Sequence, residues 1–311
     1  MPYMQEGKTK MDGYLFVHFA GEAEDGEQIY FAVSGDGLHW TDLNHGKPVL
    51  RSGVGQMGVR DPFIVRMRDG SGFFIVATDL RMADGQSWED ARTHGSRSVV
   101  IWESKDLIHW SRERLAAVGI AGAGCVWAPE VIYCEEKQAY MMFWASMVKE
   151  PGETKGKQRI YRSLTKDFVT FSEPVKYIEK ENDVIDTTIV KDGAYYYRFS
   201  KNESTGVIQS ERGKDLLHGP FEELFCEKLE KIKGVEGPEA FRFHDSNRWC
   251  LIVDQFATGG GYLPLIAEHI EKGDFAPVKK EEFDMGEVIK RHGSVIPITG
   301  SEMAELIRSY S

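Results

Sequence analysis

The chain is poor in cysteine, in helix signals and in long apolar runs. Its four cysteines, Cys125, Cys134, Cys226 and Cys250, include no C-x-x-C pair. That spacing argues against a zinc ribbon or a redox dithiol and leaves buried thiols as the reading. The apolar stretch in Met11-Asp12-Gly13-Tyr14-Leu15-Phe16-Val17-His18-Phe19-Ala20 is too short and too interrupted to cross a bilayer. The first residues also lack the basic-then-apolar order of a secretory signal, so a cytoplasmic location is expected. Positive charge is in deficit. Lys plus Arg total 38 against 49 for Asp plus Glu, giving a net charge of -11. That balance disfavours nucleic acid or an anionic membrane as the main partner. Helices are expected only over 86–92 and from Glu302 onward, too little to layer a parallel α/β sheet.

What the chain does have is glycine and aromatics: 32 Gly, 17 Phe, 12 Tyr and 7 Trp. These suit many short strands joined by tight turns. Apolar runs come in pairs across a turn: 62–67 with 72–79, 129–134 with 139–146, 186–190 with 194–199, and 238–243 with 248–253. Asp69-Gly70, Glu135-Glu136, Asp192-Gly193 and Asp245-Ser246-Asn247 mark the turns. A third strand follows each pair, near 97–103, 157–162, 206–210 and 264–269.

A phrase then repeats. It reads Asp36-Gly37-Leu38-His39-Trp40, Asp106-Leu107-Ile108-His109-Trp110, Asp167-Phe168-Val169-Thr170-Phe171 and Asp215-Leu216-Leu217-His218-Gly219-Pro220-Phe221, with a weaker copy at Gly273-Asp274-Phe275. The closing aromatic recurs after 70, 61 and 50 residues. A three- or four-stranded unit at such a period is the signature of a β-propeller, whose units must stack to bury their faces. Four units are complete. A fifth is split, with strands at 12–20 and 28–34 joined to a last strand at 292–297. The expectation is an all-β, five-bladed β-propeller over 1–311, one domain, with a blade closed by N-terminal and C-terminal strands. A two-layer β-sandwich is the alternative.

In a propeller the first strand of each blade lies nearest the axis, so polar residues at its start converge on one mouth. The five starts carry Asp61, Glu130, Asp186, Glu236 and His292. Any one acid could simply cap a turn. A shared position in the repeat points instead to a carboxylate cluster, whose members drive one another's pKa values apart as acid and base chemistry requires.

The phrases Arg60-Asp61-Pro62, Trp127-Ala128-Pro129-Glu130, Ile185-Asp186, Glu236-Gly237-Pro238 and Arg291-His292-Gly293, in this order, resemble glycoside hydrolase family 43. Those are five-bladed propellers acting on arabinose- and xylose-containing glycans. The resemblance implies an inverting glycosidase with Asp61 as general base, Glu236 as general acid and Asp186 as the aspartate that tunes the acid. It makes His292 the histidine near an axial metal or water site, where a structural calcium could sit; no cofactor is required for the chemistry. Glu130 would orient a sugar hydroxyl or support the mouth, and it stands as a second candidate for the base. Sixty residues precede Asp61, more than is usual in the family, and the split blade accounts for them.

Trp127, Trp88, Phe256 and Arg291 are further candidates for the sugar subsite. Arg198 is a charge among strand aromatics that either reaches the mouth or caps a neighbouring carboxylate. Glu239 competes with Glu236: three residues apart, a regular strand would turn them to opposite faces. The insertions 45–60 and 81–96 would narrow the cleft into a pocket, which favours removal of a terminal pentose from an oligosaccharide or polysaccharide side chain. α-L-Arabinofuranose is the first expectation; β-xylosidase, galactan or arabinan activity follow. A glycoside phosphorylase and a non-catalytic sugar-binding propeller are the readings from other classes.

Overall fold

The computed structural model describes residues 10–311; residues 1–9, on which part of the leader reading rests, lie outside it. It holds five four-stranded antiparallel sheets arranged as the blades of a propeller. Blade 1 contains β1 (Gly13–Phe19), β2 (Tyr30–Ser34) and β3 (Thr41–Asp42). Blade 2 is β4 (Val59–Arg66), β5 (Phe73–Asp79), β6 (Ser98–Ser104) and β7 (Arg114–Ala117). Blade 3 is β8 (Trp127–Cys134), β9 (Ala139–Val148), β10 (Lys157–Thr165) and β11 (Val175–Ile178). Blade 4 is β12 (Val184–Asp192), β13 (Tyr195–Asn202), β14 (Val207–Gly213) and β15 (Phe221–Glu223). Blade 5 is β16 (Glu236–Arg242), β17 (Trp249–Asp254), β18 (Tyr262–Ala267) and β19 (Ala276–Pro277).

The split unit is as expected. The last strand, β20 (Arg291–Ile298), pairs antiparallel with β1 and becomes the innermost strand of blade 1. That seam closes the ring and covers the edge of β1, which would otherwise be unpaired. The two helices are short. Ser87 caps α1 (Trp88–Thr93) by accepting from Asp90 N–H. Thr299 and Glu302 form a reciprocal capping box on α2 (Gly300–Ser309). Among the described residues no helix is long and apolar enough to cross a membrane.

The repeated aspartate phrase is the turn between third and fourth strands. Asp36 Oδ1 accepts from the N–H groups of Leu38 and His39, both at 2.8 Å. Asp106, Asp167 and Asp215 do the same for the residues two and three ahead. A hydroxyl just before the turn (Ser34, Ser104, Thr165) takes another N–H. The phrase recurs because these four blades have the same backbone donors to satisfy.

The core is divided as the repeat dictates, with one apolar cluster at each of the five blade interfaces. Large rings such as Trp102, Trp144 and Phe199 fill them. Truncating one to alanine costs about 3–5 kcal/mol. All four cysteines are buried and free.

Candidate active site

The site is built by one irregularity used five times. Near the start of each innermost strand the pairing register shifts, between Arg60 and Phe63, Trp127 and Glu130, Ile185 and Thr187, and Glu236 and Glu239, and at His292 in the seam. The bulged residue is Asp61, Ala128, Asp186, Gly237 or His292. The first four have positive φ, 50°, 46°, 47° and 50°. Glycine adopts this freely; aspartate tolerates it, and alanine is strained there. At Gly237 a Cβ would also lie 2.6 Å from the His292 ring.

A bulge breaks strict alternation, so two consecutive side chains can face the mouth. Three stacked rings result. The outermost is Arg60, Trp127, Ile185, Glu236 and Arg291, all lining one pocket of about 470 Å³. Asp61, Asp186 and His292 sit at the bulge level and line its floor. Three residues after each outermost member comes a lower ring that does not line the pocket: Phe63, which packs into the cluster between blades 2 and 3, then Glu130, Thr188, Glu239 and Ser294.

This register corrects two expectations. Glu130 does not share a level with Asp61; it belongs to the lower ring, is buried, and does not line the pocket. Burial, then the charge of Glu239, pushes its carboxyl well above the usual range. Outside the pocket, it is not placed to touch a sugar or an attacking water there. Glu236 and Glu239 both face the axis, because the bulge adds a residue between them. Glu236 is in the pocket. Glu239 lies below, accepting from Val295 N–H (2.8 Å) and Thr188 Oγ1 (3.3 Å), with its pKa pushed up to about 8, chiefly by burial.

Arg198 is a third correction. Its Nε donates to Glu211 Oε2 at 2.7 Å and its guanidinium stacks on Phe221, 4.1 Å from the ring centroid. It caps a carboxylate on β14 and does not line the pocket. The 45–60 connection lines the pocket only through Arg60. Its Gln56 instead accepts from Gln86 at 2.9 Å and supports the 81–96 insertion. Buried Glu27 holds the same insertion by accepting from the N–H groups of Met82 and Ala83.

At the floor, His292 Nδ1 lies 3.4 Å from Asp61 and 3.9 Å from Asp186. Burial opposes the imidazolium, but Asp186 and Asp61 outweigh it and lift the pKa to about 9. Burial likewise opposes the charge on Asp61, yet the contacts with His292, Arg60 and Thr78 Oγ1 (2.8 Å) win, and its pKa is lowered. Asp186 has the opposite outcome. Burial dominates, Glu236 adds to it, and the pKa rises to about 6 despite His292 and Lys201. The floor thus holds an ionised Asp61, a cationic His292 and an Asp186 that titrates near neutrality. Asp186 also accepts from Gly237 N–H at 3.2 Å, which ties it to the Glu236 bulge.

Both oxygens of Glu236 are held by cations: Oε1 by Arg291 at 3.1 Å and Oε2 by Lys201 at 2.9 Å. Arg291 also reaches Asp254 at 2.6 Å, and Lys201 reaches Glu203 at 2.8 Å. Lys201 and Asp254 were missed in the sequence. The signal is there once the hairpins are aligned, since each pairs directly with an outermost-ring residue, Ile185 and Glu236. The aromatic candidates do converge. Trp88 on α1 meets Trp127 edge-on at 6.1 Å, and Phe256 lies under Lys201 at 4.2 Å.

Calcium takes oxygen ligands; at the floor Asp61 and Asp186 supply carboxylates and His292 a ring nitrogen. Among the described residues the one trio placed to share a metal, Glu150, Glu153 and Glu179, is instead tied to Arg159 and Lys176.

An acidic cluster at the mouth of a five-bladed propeller is what the sequence phrases led us to expect, and a family model described as a probable glycosyl hydrolase domain, related to family 43, matches residues 9–304. The chain belongs to this glycoside hydrolase 43-related family. It is 31% identical over 262 residues to an α-L-arabinofuranosidase of Bifidobacterium longum subsp. longum, covering 78% of this chain and 24% of that protein. The chain therefore spans about a quarter of that relative's length. Among solved structures, a mutant of the GH43 protein BlXynB from Bacillus licheniformis superposes with a TM-score of 0.59 at 16% identity, covering 93% of this chain and 56% of the other. The catalytic domain of the GH62 α-L-arabinofuranosidase of Coprinopsis cinerea gives 0.52 at 12% identity, over 75% and 71%. Both likenesses are of fold.

Proposed function

We propose that this pocket hydrolyses glycosides with inversion, removing a terminal α-L-arabinofuranose from an oligosaccharide or polysaccharide side chain. One observation carries the reading: the bulges aim an ionised Asp61, a near-neutral Asp186 and Glu236 into a single aromatic-walled pocket. Asp61 takes the proton of a water attacking the anomeric carbon, and Glu236 protonates the departing oxygen from the opposite side. Inverting pairs stand about 6.5–9.5 Å apart to admit that water. Entry of the sugar must first displace Lys201 or Arg291 from one oxygen of Glu236. The arabinofuranosidase of the B. longum relative supports the choice of sugar. The 81–96 insertion, which brings Trp88 and Arg92 to the pocket wall, supports exo action.

The test is a panel of aryl arabinofuranosides, xylosides and galactosides. Asp61→Asn should abolish turnover while sparing sugar binding; full retained activity refutes its role. Glu236→Gln should slow a poor leaving group far more than an activated aryl one, and equal losses refute the acid assignment.

The four Arg and Lys side chains lining the pocket, Arg60, Arg92, Lys201 and Arg291, favour one second reading, phosphorolysis. Each already faces a carboxylate, at 2.9 Å for Arg60–Glu27 and 3.6 Å for Arg92–Glu203. Rates that do not respond to added inorganic phosphate exclude it.

A further inference from the structure

Beside the pocket, on the same face of the propeller, lies a second depression of about 690 Å³. The α1 insertion of blade 2 and the 149–156 loop of blade 3 form its walls. Arg92 lines both cavities and stands between them. Its Nε is buried and finds no hydrogen-bond partner among the described residues, and its Nη2 reaches only Glu203, at 3.6 Å.

The 149–156 loop sorts its charges. Glu150 and Glu153 turn toward buried Arg159 and toward Lys176. Lys149 and Lys155 are left lining the depression, and no carboxylate of the described residues is within ion-pair distance of either. The depression has two acids of its own. Asp183 already accepts from Gln158 N–H at 2.9 Å, and Glu89 lies on the first turn of α1. On a chain of net charge -11, three under-paired cations at one rim of the pocket are a local reversal of sign.

We propose that this depression seats an anionic sugar, a uronate, in the part of the substrate that remains outside the pocket. The inference rests on the glycosidase reading for its biological sense, because a terminal sugar held in the pocket must send the rest of its chain across this rim. Arg92, Lys149 and Lys155 would face the carboxylate, and the enzyme would act on side chains of an acidic polysaccharide in preference to a neutral one.

Two measurements test it. The first is binding of a uronate-bearing xylo-oligosaccharide against its neutral counterpart, by calorimetry on the whole protein at low salt. The acidic ligand should bind about tenfold more tightly, from a few partly exposed ion pairs. The difference should collapse in about 0.5 M salt, where the Debye length falls to a few ångströms, and in Lys149→Glu/Lys155→Glu. Equal affinity of the two ligands, or a preference that survives the double substitution, overturns the proposal. The second is the ratio of kcat/KM for arabinosylated oligosaccharides with and without an adjacent uronate, which should move from about ten in the wild type toward one in the variant. A wild type that binds the uronate selectively but releases no arabinose refutes the choice of sugar and leaves the anionic seat standing.

Discussion

Replacing His292 with glutamine removes the one cation between two buried carboxylates. At 3.4 Å from Asp61 and 3.9 Å from Asp186, and with an effective dielectric near 20, its charge attracts them by about 5 and about 4 kcal/mol. Burial takes part of that back, as the pKa of about 9 records. A rise from about 6.5 to about 9 corresponds to about 3 kcal/mol of folding stability. Its sign follows from the direction of the shift. The histidine binds its proton more tightly in the folded state, so the stabilisation is complete below pH 6.5 and is lost as pH rises through 9. Asp186, raised to about 6, titrates below that window; Glu239, raised to about 8, titrates inside it and adds a fall in stability of its own that the His292 variant keeps. Wild-type Tm should therefore fall between pH 6.5 and 9, and His292→Gln should flatten the slope. In the same variant Asp61 and Asp186 lose the charge that holds their pKa values down, so the acid limb of kcat/KM should move up by about one to two pH units. Scanning calorimetry across pH and a pH–rate profile on an aryl arabinofuranoside read both. A variant with the wild-type Tm slope and acid limb would refute the charge assignment at the floor.

Two other outcomes follow from the same geometry. Arg198→Met should lose about 2 kcal/mol in a denaturant melt, because it breaks a buried contact with Glu211 that Lys180 still partly neutralises; it should leave kcat/KM within twofold, and a large catalytic loss would return Arg198 to the site. Chelator should change neither activity nor Tm, since among the described residues the one trio placed to share a metal, Glu150, Glu153 and Glu179, is tied to Arg159 and Lys176; a drop in either would place a metal on the axis.

The fold was legible because its repeat is chemical. The aspartate turn satisfies the same N–H groups in four of the five blades, and the closing aromatic follows at a near-constant offset. The seam was legible by counting, since blade 1 lacked an inner strand until β20 supplied it. The site was legible at Asp61, Asp186, Glu236, Arg291 and His292, and in the three aromatics, which the structure gathers around one pocket. The level of Glu130 was not. A bulge adds a residue without changing the apolar pattern, and in blade 3 the bulged residue is Ala128, which nothing in the sequence marks as left-handed. A bulge at Gly237 likewise hid where Glu239 goes: regular alternation would have sent it outward, whereas it lies beneath Glu236, which alone of the two lines the pocket. Arg198 looked unusual among aromatics, but its partner is two strands from the axis and 13 residues away in sequence. Lys201 and Asp254 were obscured for another reason, since each matters through its partner across the hairpin and not through a phrase of its own.

The most direct test is the configuration of the sugar first released. With wild-type protein and an aryl α-L-arabinofuranoside, proton NMR within the first minutes of reaction should show the β anomer appearing ahead of mutarotation, the product of a water activated by Asp61 opposite Glu236. Initial release of the α anomer would contradict the assignment of a base and an acid on opposite sides of one pocket.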